Sequence, residues 1–206
     1  MAGDLFEAGG DGEAERAMIR GIASALLVIV GLVLPGLTSA AMAEPTAPPP
    51  LAPALAPLGF LVGNWAGFDG TVAQTGGSAR GTSVVTPEAG GAVLLRRDHT
   101  ELRDAHGVPM GGFDQIIMIY PAGGTLHADY TDGRHVILYT EAKIDPGRSV
   151  VFTSLAGGGL ARFRLTYKVD GPTSLAVDFA MTSPGQDDFQ SVAQGHLHRV
   201  ATVLGY

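Results

Sequence analysis

Beyond Pro57 the chain breaks into short runs rich in valine, isoleucine, threonine, phenylalanine and tyrosine, punctuated by glycine, proline and aspartate. That pattern is the signature of β-strands. The runs predict ten strands, at 64–69, 81–86, 92–100, 114–120, 125–131, 135–144, 149–154, 162–169, 174–181 and 192–200. Turn sequences separate several of them, among them Pro121-Ala122-Gly123-Gly124, Thr131-Asp132-Gly133-Arg134, Asp145-Pro146-Gly147 and Asp170-Gly171-Pro172. Asp-Gly between two strand-like runs marks a hairpin, because the central residues of the favoured turn take positive φ. Only residues 55–61 carry helical potential, so a parallel α/β sheet is excluded. Ten consecutive antiparallel strands without covering helices must hide two edges, and closure removes both. The expected fold is therefore all-β, a closed up-and-down antiparallel barrel of about ten strands, with a two-sheet sandwich as the alternative. Short strands and an aromatic content of 7% argue against a membrane-spanning barrel, which needs longer strands and aromatic girdles.

The N-terminal region has a different character. Residues 21–43 hold no charge, the run Ala23-Ser24-Ala25-Leu26-Leu27-Val28-Ile29-Val30-Gly31-Leu32-Val33-Leu34 is almost wholly apolar, and Arg16 and Arg20 precede it. A basic flank, an apolar core and small residues ending in Ala41-Met42-Ala43 compose a secretory signal peptide, with cleavage expected before Glu44. An uncleaved anchor is the alternative, since the uncharged run approaches the ~20 residues that span a bilayer. Residues 1–17 are acidic and glycine-rich, unlike the start of a signal, and Met18 is the expected initiator. Residues 44–57, rich in proline and alanine, read as an extended tether leading into a barrel domain at 58–206. The expected destination is the periplasm or the exterior, with membrane contact only through the leader helix if it stays uncleaved.

Composition narrows function further. The chain has no cysteine, which excludes disulfides, thiolate metal sites, a cysteine nucleophile and a lipidated anchor. Removing the five acidic and two basic side chains before Glu44 from a net charge of −7 leaves −4, which provides no electrostatic footprint for nucleic acid. No nucleophile elbow, dinucleotide-binding glycine pattern or zinc-protease helix is present. Gly157-Gly158-Gly159 is not followed by a helix that would make it a phosphate cradle.

The segment Leu58-Gly59-Phe60-Leu61-Val62-Gly63-Asn64-Trp65-Ala66-Gly67 resembles the opening of a group of bacterial calycin-like barrels related to nitrobindin. Gly90-Gly91-Ala92-Val93-Leu94-Leu95 and the closing Gly195-His196-Leu197-His198-Arg199-Val200 are similar to that group as well, so the resemblance spans nearly the whole domain after the tether. It implies a lipocalin-like or fatty-acid-binding-protein-like barrel holding a small, usually apolar ligand. It also implies that Trp65 plugs one end with Arg199 of the last strand against it. Nitrobindin-type relatives bind haem through a last-strand histidine, and that ligand falls here near Ser191 or Val192. Haem is therefore a secondary expectation, with no cofactor as the first.

Several polar groups invite a site. His127 and Asp129 share one strand face, but a two-residue Asp132-Gly133 turn pairs Tyr130 with His135, Asp129 with Val136 and His127 with Leu138, which puts His135 on the opposite face. Three metal ligands do not converge, and no metal is expected. The face carrying Leu126, Tyr130, His135, Ile137 and Tyr139 mixes apolar walls with polar tips, as a ligand pocket does, or else forms the exterior. In the strand 162–169, Phe163, Leu165 and Tyr167 alternate with Arg162, Arg164, Thr166 and Lys168 and should point inward. Tyr130, His135, Tyr139, Phe163 and Tyr167 are thus the expected ligand-binding residues, and His196 and His198 are expected to face solvent. The expected function is an exported small-molecule-binding barrel for an apolar or amphipathic ligand. A barrel enzyme acting on a lipid-like substrate, with His135 or His99 as base, and haem or nitric-oxide binding are the alternatives.

Overall fold

The structure is a computed structural model, and it describes residues 49–155 and 161–201. The leader at 1–43 and the first part of the tether lie outside the described residues. Among the described residues no helix is long and apolar enough to cross a membrane. Ten strands follow one another: β1 (Gly63–Val72), β2 (Gly77–Glu88), β3 (Val93–Arg103), β4 (Pro109–Ala122), β5 (Thr125–Thr131), β6 (Val136–Asp145), β7 (Ser149–Ser154), β8 (Phe163–Gly171), β9 (Ser174–Thr182) and β10 (Phe189–Arg199). Each pairs antiparallel with its chain neighbours, and β1 pairs with β10, so the barrel closes. Two sequence-expected strands are exact, β5 and β7.

Closure fixes two unlike ends. One end gathers the turns after β2, β4, β6 and β8 together with the N-terminal entrance, where a short 3-10 helix, Ala56–Leu61, lies across the opening. Leu55, Leu58 and Leu61 are buried in the core it caps. The stretch read as tether up to Pro57 is thus part of this plug from Leu51 onward. Leu51 packs on the core, Ala52 N–H donates to the Gly91 carbonyl at 2.9 Å, and Gly147 N–H donates to the Pro57 carbonyl at 3.0 Å. Leucines spaced along a proline-rich segment give it an apolar side to bury, whatever its lack of regular hydrogen bonding.

Trp65 and Arg199 lock the plug. The Trp65 ring is 3% exposed, its Nε1–H donates to the Leu61 carbonyl at 2.8 Å, and the Arg199 guanidinium lies 4.3 Å from the ring centroid. Arg199 also donates to the Val62 carbonyl at 2.8 Å and the Phe60 carbonyl at 3.3 Å. Gly63 is favoured here because its φ of 134° is a conformation that other residues avoid, and a Cβ would also press on Arg199 Nη1.

The hairpin between β5 and β6 departs from its expected register. Thr131 pairs with Val136, Tyr130 with Ile137, Asp129 with Leu138 and Ala128 with Tyr139. The loop holds four residues rather than two, because Asp132 Oδ1 accepts the backbone N–H groups of Arg134 at 2.9 Å and His135 at 2.7 Å. Capturing both amides withdraws them from the strand ladder. The slip is two residues along β6, so side-chain parity survives and the face with Tyr130, Ile137 and Tyr139 turns inward. His135 alone is lost from it.

On the outer wall, β1 bulges between Gly67 and Thr71. There Asp69 takes the His196 backbone N–H at 2.8 Å and its Nδ1 at 2.6 Å, while His196 Nε2 lies 3.3 Å from Asp170 of β8. The hydrogen bond to Asp69 raises the His196 pKa above its ordinary value, and the His196 amide leads the groups that lower that of Asp69. A group whose pKa is raised on folding stabilises fully below its unfolded value of about 6.5, and that contribution is lost as pH climbs through the folded value. His196→Gln should therefore lower the urea midpoint more at acidic than at alkaline pH, where wild type and variant converge. A difference independent of pH would remove this ion pair from the account.

Candidate ligand-binding site in the barrel lumen

Strand alternation turns one residue in two toward the lumen. Arg96 is among them, and it crosses the interior from β3 to Tyr167 of β8, the strand diametrically opposite in the ten-strand ring. Its Nη1 donates to the Tyr167 hydroxyl, and its guanidinium carbon sits 5.0 Å from that ring's centroid. Nε donates to Asp98 Oδ1 at 2.8 Å and to Ser83 Oγ at 2.9 Å, and Nη2 lies 2.8 Å from Asp98 Oδ2. The side chains of Arg96 and Asp98 are 11% and 5% exposed. Burial alone would lower the Arg96 pKa, but the Asp98 carboxylate and the Tyr167 oxygen outweigh it and hold the guanidinium firmly charged.

This crossbar divides the interior. On the plug side Trp65, Leu61, Val85, Ile119, Leu175 and Leu197 leave a gap of only about 10 Å³. On the other side lies a cavity of about 360 Å³ that reaches past Ile117, Leu165, Val177 and Phe179 to a rim of Val72, Leu102, Phe113 and Val192. That volume falls within the range of small-molecule sites, roughly 300–1,000 Å³. Thr100, Gln115, Tyr130 and Tyr139 add polar atoms to otherwise apolar walls, and Gln115 Nε2 donates to Thr100 Oγ1 at 3.0 Å. The Tyr130 hydroxyl is pushed up to about 12, chiefly by burial and then by Asp132, so it is a neutral donor. Burial likewise pushes up Tyr139, and it takes Tyr167 to about 12 against the opposing pull of Arg96.

The residues singled out in the sequence fall into three groups. Tyr130 and Tyr139 line the cavity, and Tyr167 forms its floor by holding Arg96. Phe163 stands one layer back, stacked at 5.9 Å on Phe179, which is the ring that meets the cavity. His135 is not in the site: it is exposed in the loop, with Nδ1 3.0 Å from Asp132 Oδ2. Sequence reasoning missed Arg96, Asp98 and Ser83. Arg96 and Asp98 belong to the β3 run Leu94-Leu95-Arg96-Arg97-Asp98-His99, charged on both faces, so alternation could not say which charges point in, while Ser83 sits on the neighbouring β2.

No imidazole faces the lumen. His99 pairs with Asp114 at 2.8 Å on the outer wall, His127 lies 5.8 Å from the Tyr120 ring, His135 and His196 are held by Asp132 and Asp69, and His106 and His198 are exposed. Asp129 accepts from the Tyr120 hydroxyl at 3.0 Å on that outer face. Neither His99 nor His135 is placed to act as a base on a lumen-bound substrate. Near the start of β10, where the sequence resemblance puts a haem ligand, Ser191 donates to Asp178 at 2.5 Å and Val192 lines the rim. The residues present do not fit a histidine-ligated haem. Arg162 and Arg164, expected on the solvated outside, both lie over the Phe189 ring, at 5.5 and 4.5 Å.

The molecule is a closed ten-stranded antiparallel barrel with an interior cavity. No protein-family model matches the chain, and no curated protein matches it in sequence. Among solved structures it is similar to one described as EF1p2_mFAP2b bound to DFHBI, with 14% identity over 71% of this chain and 99% of that one, at a TM-score of 0.38.

Proposed function

We propose that this chain is an exported, calycin-like barrel that binds one small apolar or amphipathic molecule in its lumen. The observation that carries the reading is the about 360 Å³ cavity, closed below by the Arg96 crossbar and walled by Ile117, Leu165, Val177 and Phe179. Apolar enclosure supplies the binding free energy, and the tyrosine hydroxyls and the guanidinium orient what is enclosed. Export rests on the uncharged segment before Glu44 and its Ala41-Met42-Ala43 ending. The kinship with nitrobindin-related calycins rests on the Gly63-Asn64-Trp65 opening and the Trp65–Arg199 contact at the plug. The enzyme alternative is not favoured: the carboxylate at the cavity, Asp98, is held by Arg96, and His99 and His135 point away from it to Asp114 and Asp132.

Titration with N-phenyl-1-naphthylamine, an uncharged dye that brightens in apolar surroundings, tests the binding reading. Saturable enhancement at one dye per chain is the expected result. Enhancement that never saturates, or none at all, would contradict enclosure.

A further inference from the structure

The crossbar also bears on what kind of molecule the cavity accepts, an inference that rests on the lumen-binding reading. A guanidinium has five N–H donors. In Arg96 three are directed at fixed partners: Nε–H at Asp98 and Ser83, one Nη2–H at Asp98, and one Nη1–H at Tyr167. One donor on each terminal nitrogen is left, at a residue that lines the cavity. The charge, in contrast, is spent. Asp98 meets Arg96 through two oxygens, so the pair at the cavity floor carries no net positive charge.

The remaining charged residues near the cavity do not restore it. Arg80 turns outward to Glu101 at 2.6 Å, His99 to Asp114, and His196 to Asp69 and Asp170. An incoming carboxylate or sulfonate would give up its hydration, gain no uncompensated cation, and meet the Asp98 carboxylate across the same guanidinium. An uncharged acceptor would gain two N–H donors and lose little water. We infer that the lumen is built for an uncharged ligand, an apolar body bearing a carbonyl or hydroxyl oxygen that docks on Arg96, and that Asp98 is the residue that rejects anionic amphiphiles.

Two dyes with the same arylnaphthylamine skeleton separate these cases: N-phenyl-1-naphthylamine, which is neutral, and 1-anilinonaphthalene-8-sulfonate, which is anionic. With the full chain, the neutral dye should bind at least about tenfold more tightly, a difference of about 1.4 kcal/mol. Asp98→Asn retains an acceptor for Nε–H but leaves the guanidinium uncompensated. It should shrink or invert that ratio by tightening the anionic dye, and Asp98→Ser should do the same should the first variant not fold. Equal affinities in wild type, or an unchanged ratio in a folded Asp98 variant, would overturn the charge selectivity while leaving lumen binding intact. Failure of both dyes to bind saturably would overturn the lumen reading and this inference together.

Discussion

Trp65→Ala is expected to cost about 3–5 kcal/mol of folding stability, the range for truncating a large buried aromatic. The urea midpoint should fall by about 1–5 M, given slopes of about 1–3 kcal/mol per molar for small domains. Three losses combine. The ring fills the closed end beneath Leu61, its N–H satisfies the last carbonyl of the 3-10 plug, and it forms the platform on which Arg199 lies. Arg199 in turn holds the carbonyls of Phe60 and Val62, so loosening it frees the plug where it leads into β1. Trp65→Phe, which keeps the aromatic face but loses the N–H, should fall between. A Trp65→Ala midpoint equal to wild type would show that the plug is held by its leucines alone.

Arg96→Met is expected to be as damaging, for a different reason. Removing one partner of a buried ion pair leaves the other charge uncompensated, at a cost of about 3–5 kcal/mol. Here the stranded group is Asp98, whose side chain is almost wholly buried beside Ser83. The double variant Arg96→Met/Asp98→Leu removes both charges and fills the same space with apolar atoms. It should recover most of the loss and is expected within about 2 kcal/mol of wild type, or above it. Urea unfolding of the two variants and of Asp98→Leu closes a double-mutant cycle. A strictly additive cycle would deny that the two side chains act as one unit. The pair therefore serves less to stabilise the barrel than to set a polar floor within an otherwise apolar interior.

The strand count was legible because alternation and turn chemistry agree with each other along most of the chain. β5 and β7 are bounded by residues that terminate strands unmistakably, such as Gly123-Gly124 and Pro146-Gly147. β4 begins earlier than the sequence suggests, at Pro109, because Pro109-Met110-Gly111-Gly112 looks like a turn yet pairs with the end of β3. The face bearing Tyr130 and Tyr139 was legible in parity but not in depth. What removed His135 from it was a side-chain interaction, Asp132 with two following amides, which no hydrophobic period reports. Arg96 and Asp98 were hidden by the opposite problem. Charged residues occupy successive positions on both faces of β3, so the sequence signals a solvated strand, and only the closure of the ring against Tyr167 explains why two of them point inward.

The lumen, rather than the outer wall, is the surface proposed to take up a ligand. The outer wall offers a rival in the exposed apolar side chains Ile116 and Met118 of β4 and Val136 and Leu138 of β6, a stripe interrupted by Asp129 and Thr131 of β5. Val177 stands on the inner wall opposite that stripe, cross-strand from Tyr167, and Val177→Trp would fill the cavity without touching the stripe. Titration of the folded Val177→Trp variant with N-phenyl-1-naphthylamine is the most direct test. Enclosure in the lumen predicts at least about a tenfold loss of affinity, or abolition of the saturable phase, with cooperative unfolding preserved. Binding equal to wild type would place the dye elsewhere on the molecule and contradict the account.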